Sequence, residues 1–230
     1  MNSFIFSSVF FSVTISLITY WIGMLLKQKL RVTLLNPLLI SMTLTIIILL
    51  LFDVDYVTYN EGAKYLSYLL TPSTICLAIP LYQQLEMLKK NLKVVLVSIA
   101  AGTLSSLCSI LLLSIAFGLS HEEYVTLLPK SVTTAIATGI SGEFGGIAAV
   151  TATSVAITGI LGNVIAESVL KLFKINHPIA KGLACGTSAH AIGTVKAMEL
   201  GELEGALSSL SIAVAGLMTV LAASVFANLW

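Results

Sequence analysis

Apolar stretches of bilayer length follow one another along almost the whole chain, and charged residues are confined largely to the connections between them. That succession limits the fold more than any motif does, because a soluble core has no use for so many long runs. We read the spans as Phe4–Leu26, Leu34–Phe52, Tyr65–Tyr82, Val94–Gly118, Ile147–Phe173, Gly182–Leu200 and Gly205–Leu229. Each has about 18–27 residues, against the roughly 20 that a helix needs to cross a hydrocarbon core. Composition agrees: 57% of residues are hydrophobic and 10% charged, where soluble domains carry about 25% charged residues. The expected fold is an all-α multi-pass membrane protein, one integral membrane domain over residues 1–230. A net charge of +1 gives no reason to expect nucleic acid as a partner. Met1–Leu26 has no basic residue before it, and Lys27, Lys29 and Arg31 follow it. A cleaved signal has the opposite order, so a retained first span is expected.

An eighth apolar piece, Leu127–Ile140, would extend only about 21 Å as a helix, short of the roughly 30 Å core. Charge orients the rest. Lys27, Lys29 and Arg31; Lys89, Lys90 and Lys93; and Lys171, Lys174 and Lys181 form three basic clusters. Acidic connections alternate with them: Asp53, Asp55 and Glu61; Glu122 and Glu123; Glu199, Glu202 and Glu204. Basic loops stay in the cytoplasm, which places the N-terminus outside and the C-terminus inside. It also makes residues 127–141 a re-entrant segment that does not cross.

The same topology predicts two inverted repeats, residues 34–118 and 147–229, each with an interrupted middle member. In the first, Pro72 and Pro80 remove backbone donors and should bend the helix. In the second, Gly186 and Gly193 flank Thr187, Ser188, His190 and Thr194. A lipid-facing helix has no reason to centre hydroxyls and an imidazole, so this segment must face protein or a water-filled cavity. Paired broken segments in opposite orientation are where secondary transporters place their sites. The plainer alternative is a packed interior helix whose glycines permit close contact.

Three constellations could bind a solute: Thr71, Ser73 and Thr74; Lys130, Ser131, Thr133 and Thr134; and Thr187, Ser188, His190 and Thr194, with Lys196 close by. Hydroxyls, a lysine and free helix ends suit a small carboxylate. His190 could carry a coupled proton, since an ordinary imidazole titrates near pH 6.5, or could simply bond a neighbouring helix. Asn163, Glu167 and Lys171 recur at i, i+4 and i+8 and read as packing, with Glu167 and Lys171 able to pair. The glutamates at 199, 202 and 204 read as a solvated loop. Ala206, Ser209, Ala213, Gly216 and Ala223 form a small-residue stripe of the kind used for helix contact in lipid, and for self-association. Cys76, Cys108 and Cys185 lack metal-ligand spacing and read as small apolar residues. No catalytic motif, metal set or cofactor fingerprint is present, and the connections are too short for a soluble catalytic domain, so an enzyme is not expected.

Leu70–Tyr82 (LTPSTICLAIPLY), Leu127–Ser141 (LLPKSVTTAIATGIS) and Gly182–Gly201 (GLACGTSAHAIGTVKAMELG) resemble the signature segments of the LrgB/CidB family. Asn36–Leu39 and Glu204–Ser209 fit the same pattern, and the resemblance runs from about residue 34 onward. It implies an antiholin-like or holin-like protein of the bacterial cell membrane. The implied partner is a smaller LrgA/CidA-like membrane protein, and the implied role is control of murein hydrolase activity and autolysis. A plant relative that fuses LrgA-like and LrgB-like parts moves glycolate and glycerate across the plastid envelope, and bacterial members are tied to pyruvate uptake. Two functions are therefore expected in competition: a secondary transporter of small monocarboxylates, and an antiholin-like or holin-like regulator acting through a partner. The two are not mutually exclusive.

Overall fold

The computed structural model describes residues 8–30, 36–69, 72, 75–76 and 78–230. The described residues form helices and no strand, and the chain clusters into two compact units, Met1–Cys76 and Leu77–Trp230. That boundary falls inside the stretch expected as the first repeat. Among the described residues four helices are long and apolar enough to cross a membrane: Phe10–Leu30, Leu92–Phe117, Ala148–Leu172 and Glu202–Leu229. Their outward faces carry large apolar side chains such as Leu112, Leu113, Leu161 and Leu221, each more than half exposed. Such faces belong in lipid. This is a membrane protein.

The first unit contains α1 (Val9–Leu30), α2 (Pro37–Leu51) and α3 (Tyr56–Ser67). Asn36 and Asp55 start α2 and α3, their side chains accepting from Leu38 N–H at 2.8 Å and Val57 N–H at 3.0 Å. α1 and α2 run antiparallel: Gly23 lies against Pro37, and the Thr19 hydroxyl meets those of Ser41 and Thr45 at 3.0 Å. Ser16 meets the Tyr59 hydroxyl at 2.7 Å and ties α3 to α1. Two expected spans are displaced here. The first described helix runs past Leu26 as far as Leu30, and Tyr65–Tyr82 is not carried by one helix, since the helix begun at Tyr56 gives way to a turn at Tyr68. The Asp55 cap starts α3 at Tyr56, nine residues earlier than expected, and Tyr68 caps its C-terminal end.

The second unit contains α4 (Ala78–Gln83), α5 (Leu85–Lys90), α6 (Leu92–Phe117), α7 (His121–Leu127), α8 (Thr134–Glu143), α9 (Ala148–Leu172), α10 (Pro178–Leu200) and α11 (Glu202–Phe226). Its two ends are marked by two clusters. Val95 and Ile99 of α6 pack with Ile179, Leu183 and Leu207, so α6, α10 and α11 all begin at one end. Leu107 and Ile110 pack with Tyr124, Val125, Leu128 and Ala227 toward the other. At that second end the Trp230 indole donates to Leu119 C=O at 2.8 Å, and Tyr124 donates to Phe226 C=O at 2.8 Å. Helix α9 returns: Thr151 lies beside α7, and Leu170 packs with Cys185.

Helix α10 does not cross this unit. Ala189 (φ −134°, ψ 18°) and His190 (φ 43°, ψ −134°) break its backbone, and the chain doubles back. The backbone of Gly193 lies on that of Cys185, and Cys185 and Ala197 share one cluster. In a straight helix those pairs would stand about 12 and 18 Å apart. Gly186 and Thr194, four residues before and after the break, both lie against Ser208. The expectation of a spanning Gly182–Leu200 interrupted at its two glycines is thus corrected. Gly182 and Gly186 let α11 approach, since a Cβ on either would meet the Glu204 or Ser208 carbonyl at 2.5 Å. The interruption itself falls between the glycines.

Candidate functional site

A second reversal comes from the opposite end. Thr126 in α7 and Ser141 in α8 are fifteen positions apart, yet the Thr151 hydroxyl lies within hydrogen-bond distance of both, 2.9 Å from Thr126 C=O and 2.7 Å from Ser141 Oγ. Thr126 also accepts from Ile147 N–H at 2.8 Å. Between α7 and α8 the chain turns through Lys130 N–H to Leu127 C=O (3.1 Å) and Val132 N–H to Pro129 C=O (3.2 Å). Pro129 cannot continue a helical ladder, which is why the turn forms there. Val132 and Ala137 at this turn pack on Val155, and the Val155 carbonyl accepts from His190 Nε2 at 3.1 Å. The two reversals therefore point at each other, and α9 touches both tips.

Between them lies a small cavity of about 10 Å³, room for one water-sized body. Five hydroxyls line it: Thr103 and Ser106 from α6, Ser131 from the first tip, Thr187 from the first arm of α10, and Thr219 from α11. Ser106 and Ser131 bond at 2.8 Å, and Lys130 Nζ stands 3.5 Å from Ser131 Oγ. Thr187 donates to Leu183 C=O and Thr219 to Ala215 C=O, both at 2.7 Å. Thr103 is 4% exposed and its hydroxyl has no partner among the described residues. A polar side chain left so inside an apolar bundle costs about 1–3 kcal/mol.

Of the residues expected to bind, Ser131 and Thr187 come together here. His190 and Thr194 form an adjoining layer: His190 is 5% exposed with its Nε2–H on Val155, and Thr194 bonds His190 C=O at 3.0 Å and Ser208 Oγ at 2.7 Å. The second-tip histidine ring packs on Gly159, where a Cβ would meet Nε2 at 2.9 Å. Lys130 sits half-buried at the rim. Thr133 caps α8 without a side-chain bond, and Thr134 is exposed. Ser188 is exposed and bonds Ala184 C=O at 2.7 Å. Thr71, Ser73 and Thr74 lie outside the described residues.

Lys196 serves elsewhere. It bridges Glu167 at 3.2 Å and Glu199 at 3.1 Å, while Glu167 also holds Lys171 at 2.8 Å. Asn163 donates to Ile192 C=O at 2.9 Å, so the face read as packing does clamp α10. Glu204 is 7% exposed, which corrects its reading as part of a solvated loop. The small-residue stripe on α11 is also adjusted, since Ala213 is exposed and Glu204, Ser208, Ser211, Ala215 and Thr219 join the buried face. Sequence reasoning missed Thr103, Ser106, Ser208 and Thr219. A signal existed in α6, where Val95, Ile99, Thr103, Leu107, Ile110 and Ser114 are buried at spacings of three and four.

Compared with known proteins, residues 16–229 match the sequence profile of the LrgB-like family. The chain is 38% identical over 218 residues to the antiholin-like protein LrgB of Bacillus cereus (strain B4264), covering 94% of this chain and 95% of that one. The antiholin-like protein LrgB of Bacillus anthracis (strain A0248) gives the same figures. No solved structure matches.

Proposed function

The chain belongs to the LrgB-like family, and on that premise we propose that it is an antiholin-like membrane protein, a regulator of murein hydrolase activity and autolysis acting with an LrgA/CidA-type partner. The observation that carries this reading is the end-to-end similarity to relatives named antiholin-like, 94% of this chain against 95% of theirs. The chain acts without catalysing a reaction. The test is expression with and without an LrgA-type protein in a host deleted for both. Extracellular murein hydrolase activity and the rate of detergent-induced lysis should fall with the pair. Equal lysis in all strains would reject the regulatory role.

One structural feature favours a second reading. Two reversals from opposite ends, meeting at a hydroxyl-lined cavity, suit alternating access to a small solute. In this reading the solute is a small monocarboxylate, attracted by Lys130 and bound near Ser131, Thr187, His190 and Thr194. Uptake of labelled pyruvate, glycolate and lactate into proteoliposomes, with and without the partner, separates the two. No uptake above empty vesicles under either condition would leave regulation alone.

For orientation, the lysines at 89, 90, 93, 171, 174 and 181 lie at or beside the helix ends that gather at one end of the second unit. The positive-inside bias places that end in the cytoplasm. The segments over 121–143 and 178–200 then enter the bilayer from opposite faces and return.

A further inference from the structure

We infer that the cavity between the two tips is a monovalent-cation site in which the ammonium of Lys130, tethered at the rim, takes the place of the ion. Each hydroxyl has one proton. Thr187 and Thr219 give theirs to Leu183 and Ala215, so both turn only lone pairs toward the cavity. Ser106 and Ser131 commit one of their two protons to each other. Thr103, 4% exposed and without a partner among the described residues, adds a further oxygen. Five neutral oxygens against only two uncommitted protons suit a small hard cation better than an anion, which would need more donors. No carboxylate lines it, so a divalent ion would lack the charge it needs.

Lys130 completes the argument. It is half-buried, 3.5 Å from a lining hydroxyl, and among the described residues it has no carboxylate partner. An ammonium has three donors and no acceptor, and a buried one requires oxygens. The lining oxygen nearest to it is Ser131 Oγ, at 3.5 Å. The site thus runs without an alkali ion while the lysine is present, and removing the lysine exposes it. This inference rests on the geometry of the cavity, is independent of the regulatory reading, and competes with the carboxylate reading for Lys130, Ser131 and Thr187.

The test is thermal unfolding of the purified full-length protein in detergent. Sodium, potassium and lithium chloride are compared with choline chloride at equal ionic strength. The wild type should unfold at the same temperature in all four. Lys130→Ala and Lys130→Met should each gain a saturable rise of roughly 5 °C in one of the alkali salts. Adding Thr103→Val should abolish that rise. A Lys130 variant too unstable to purify in choline should be recovered in the alkali salt, and failure in both counts against the site. An equal rise in the wild type, no cation-specific rise in either variant, or a rise that survives Thr103→Val overturns the inference.

Discussion

At the residue scale the decisive position is His190. Its φ of 43° with ψ of −134° is backbone that side chains rarely adopt, at a cost of about 1–3 kcal/mol. The bond to Val155 and the ring's seat on Gly159 hold it there. His190→Ala keeps the strain and loses the bond, so it should destabilise by about 1–2 kcal/mol. His190→Gly loses the same bond but relieves the strain, and should therefore be the milder variant. Thermal unfolding in detergent orders them; Ala milder than Gly would mean that the turn is not built as described. Glycines give a second comparison. A Cβ at Gly193 runs into the Cys185 carbonyl, whereas Gly139 has nothing within 4 Å. Gly193→Ala should cost about 1–3 kcal/mol, while Gly139→Ala, inside α8, should gain up to about 1 kcal/mol.

At the scale of the element, the folding back of α10 has a covalent test. Cys185 and Ala197 share a cluster, yet in a straight helix they would lie about 18 Å apart, beyond the roughly 7 Å limit for a disulfide. With Cys76 and Cys108 replaced by Ser, Ala197→Cys should cross-link to Cys185 on mild oxidation, read by mass spectrometry. An uncross-linked product would restore the spanning helix. The start of α7 offers a pH test. Ser120 and Glu123 cap each other, and Ser120 holds the exposed Glu123 carboxyl below its ordinary range. A depressed carboxyl contributes stability above its unfolded pKa and loses it as pH falls through the folded one. Ser120→Ala should thus be less stable than wild type at neutral pH, and the gap should narrow below about pH 4.

At the scale of the whole molecule, the reversal in α10 changes the side on which everything after it emerges. Charge counting with seven crossings put the 199–204 loop opposite the lysines and the end of α11 beside them. In the structure α11 begins with α6 and α10, and Trp230 reaches Leu119 beside α7. Single cysteines at exposed positions decide it in intact cells, with the native cysteines removed. Positions 122 and 228 should react with an impermeant reagent; 90, 174 and 202 should react only after permeabilisation. Labelling of 202 from outside would restore the seven-crossing topology.

The amino-acid sequence alone determined the solvent of this protein, its helical class and its family, because bilayer-length apolar runs and three separated motifs are properties of the string. It also singled out Ser131, Thr187, His190 and Thr194, since polar groups amid apolar runs must be answered by protein. It located the polar break in the second unit but not its sense. A kink and a full reversal draw on the same glycines, hydroxyls and histidine, and they differ only in two backbone residues, Ala189 and His190. Those dihedrals are set by what packs on the turn: Gly159, Gly162 and Val155 from α9, and Ser208 from α11. Thr103, Ser106 and Thr219 escaped for the same reason. A hydroxyl in an apolar helix satisfies its own backbone equally well facing lipid or a cavity, and only the packing of neighbouring helices decides which.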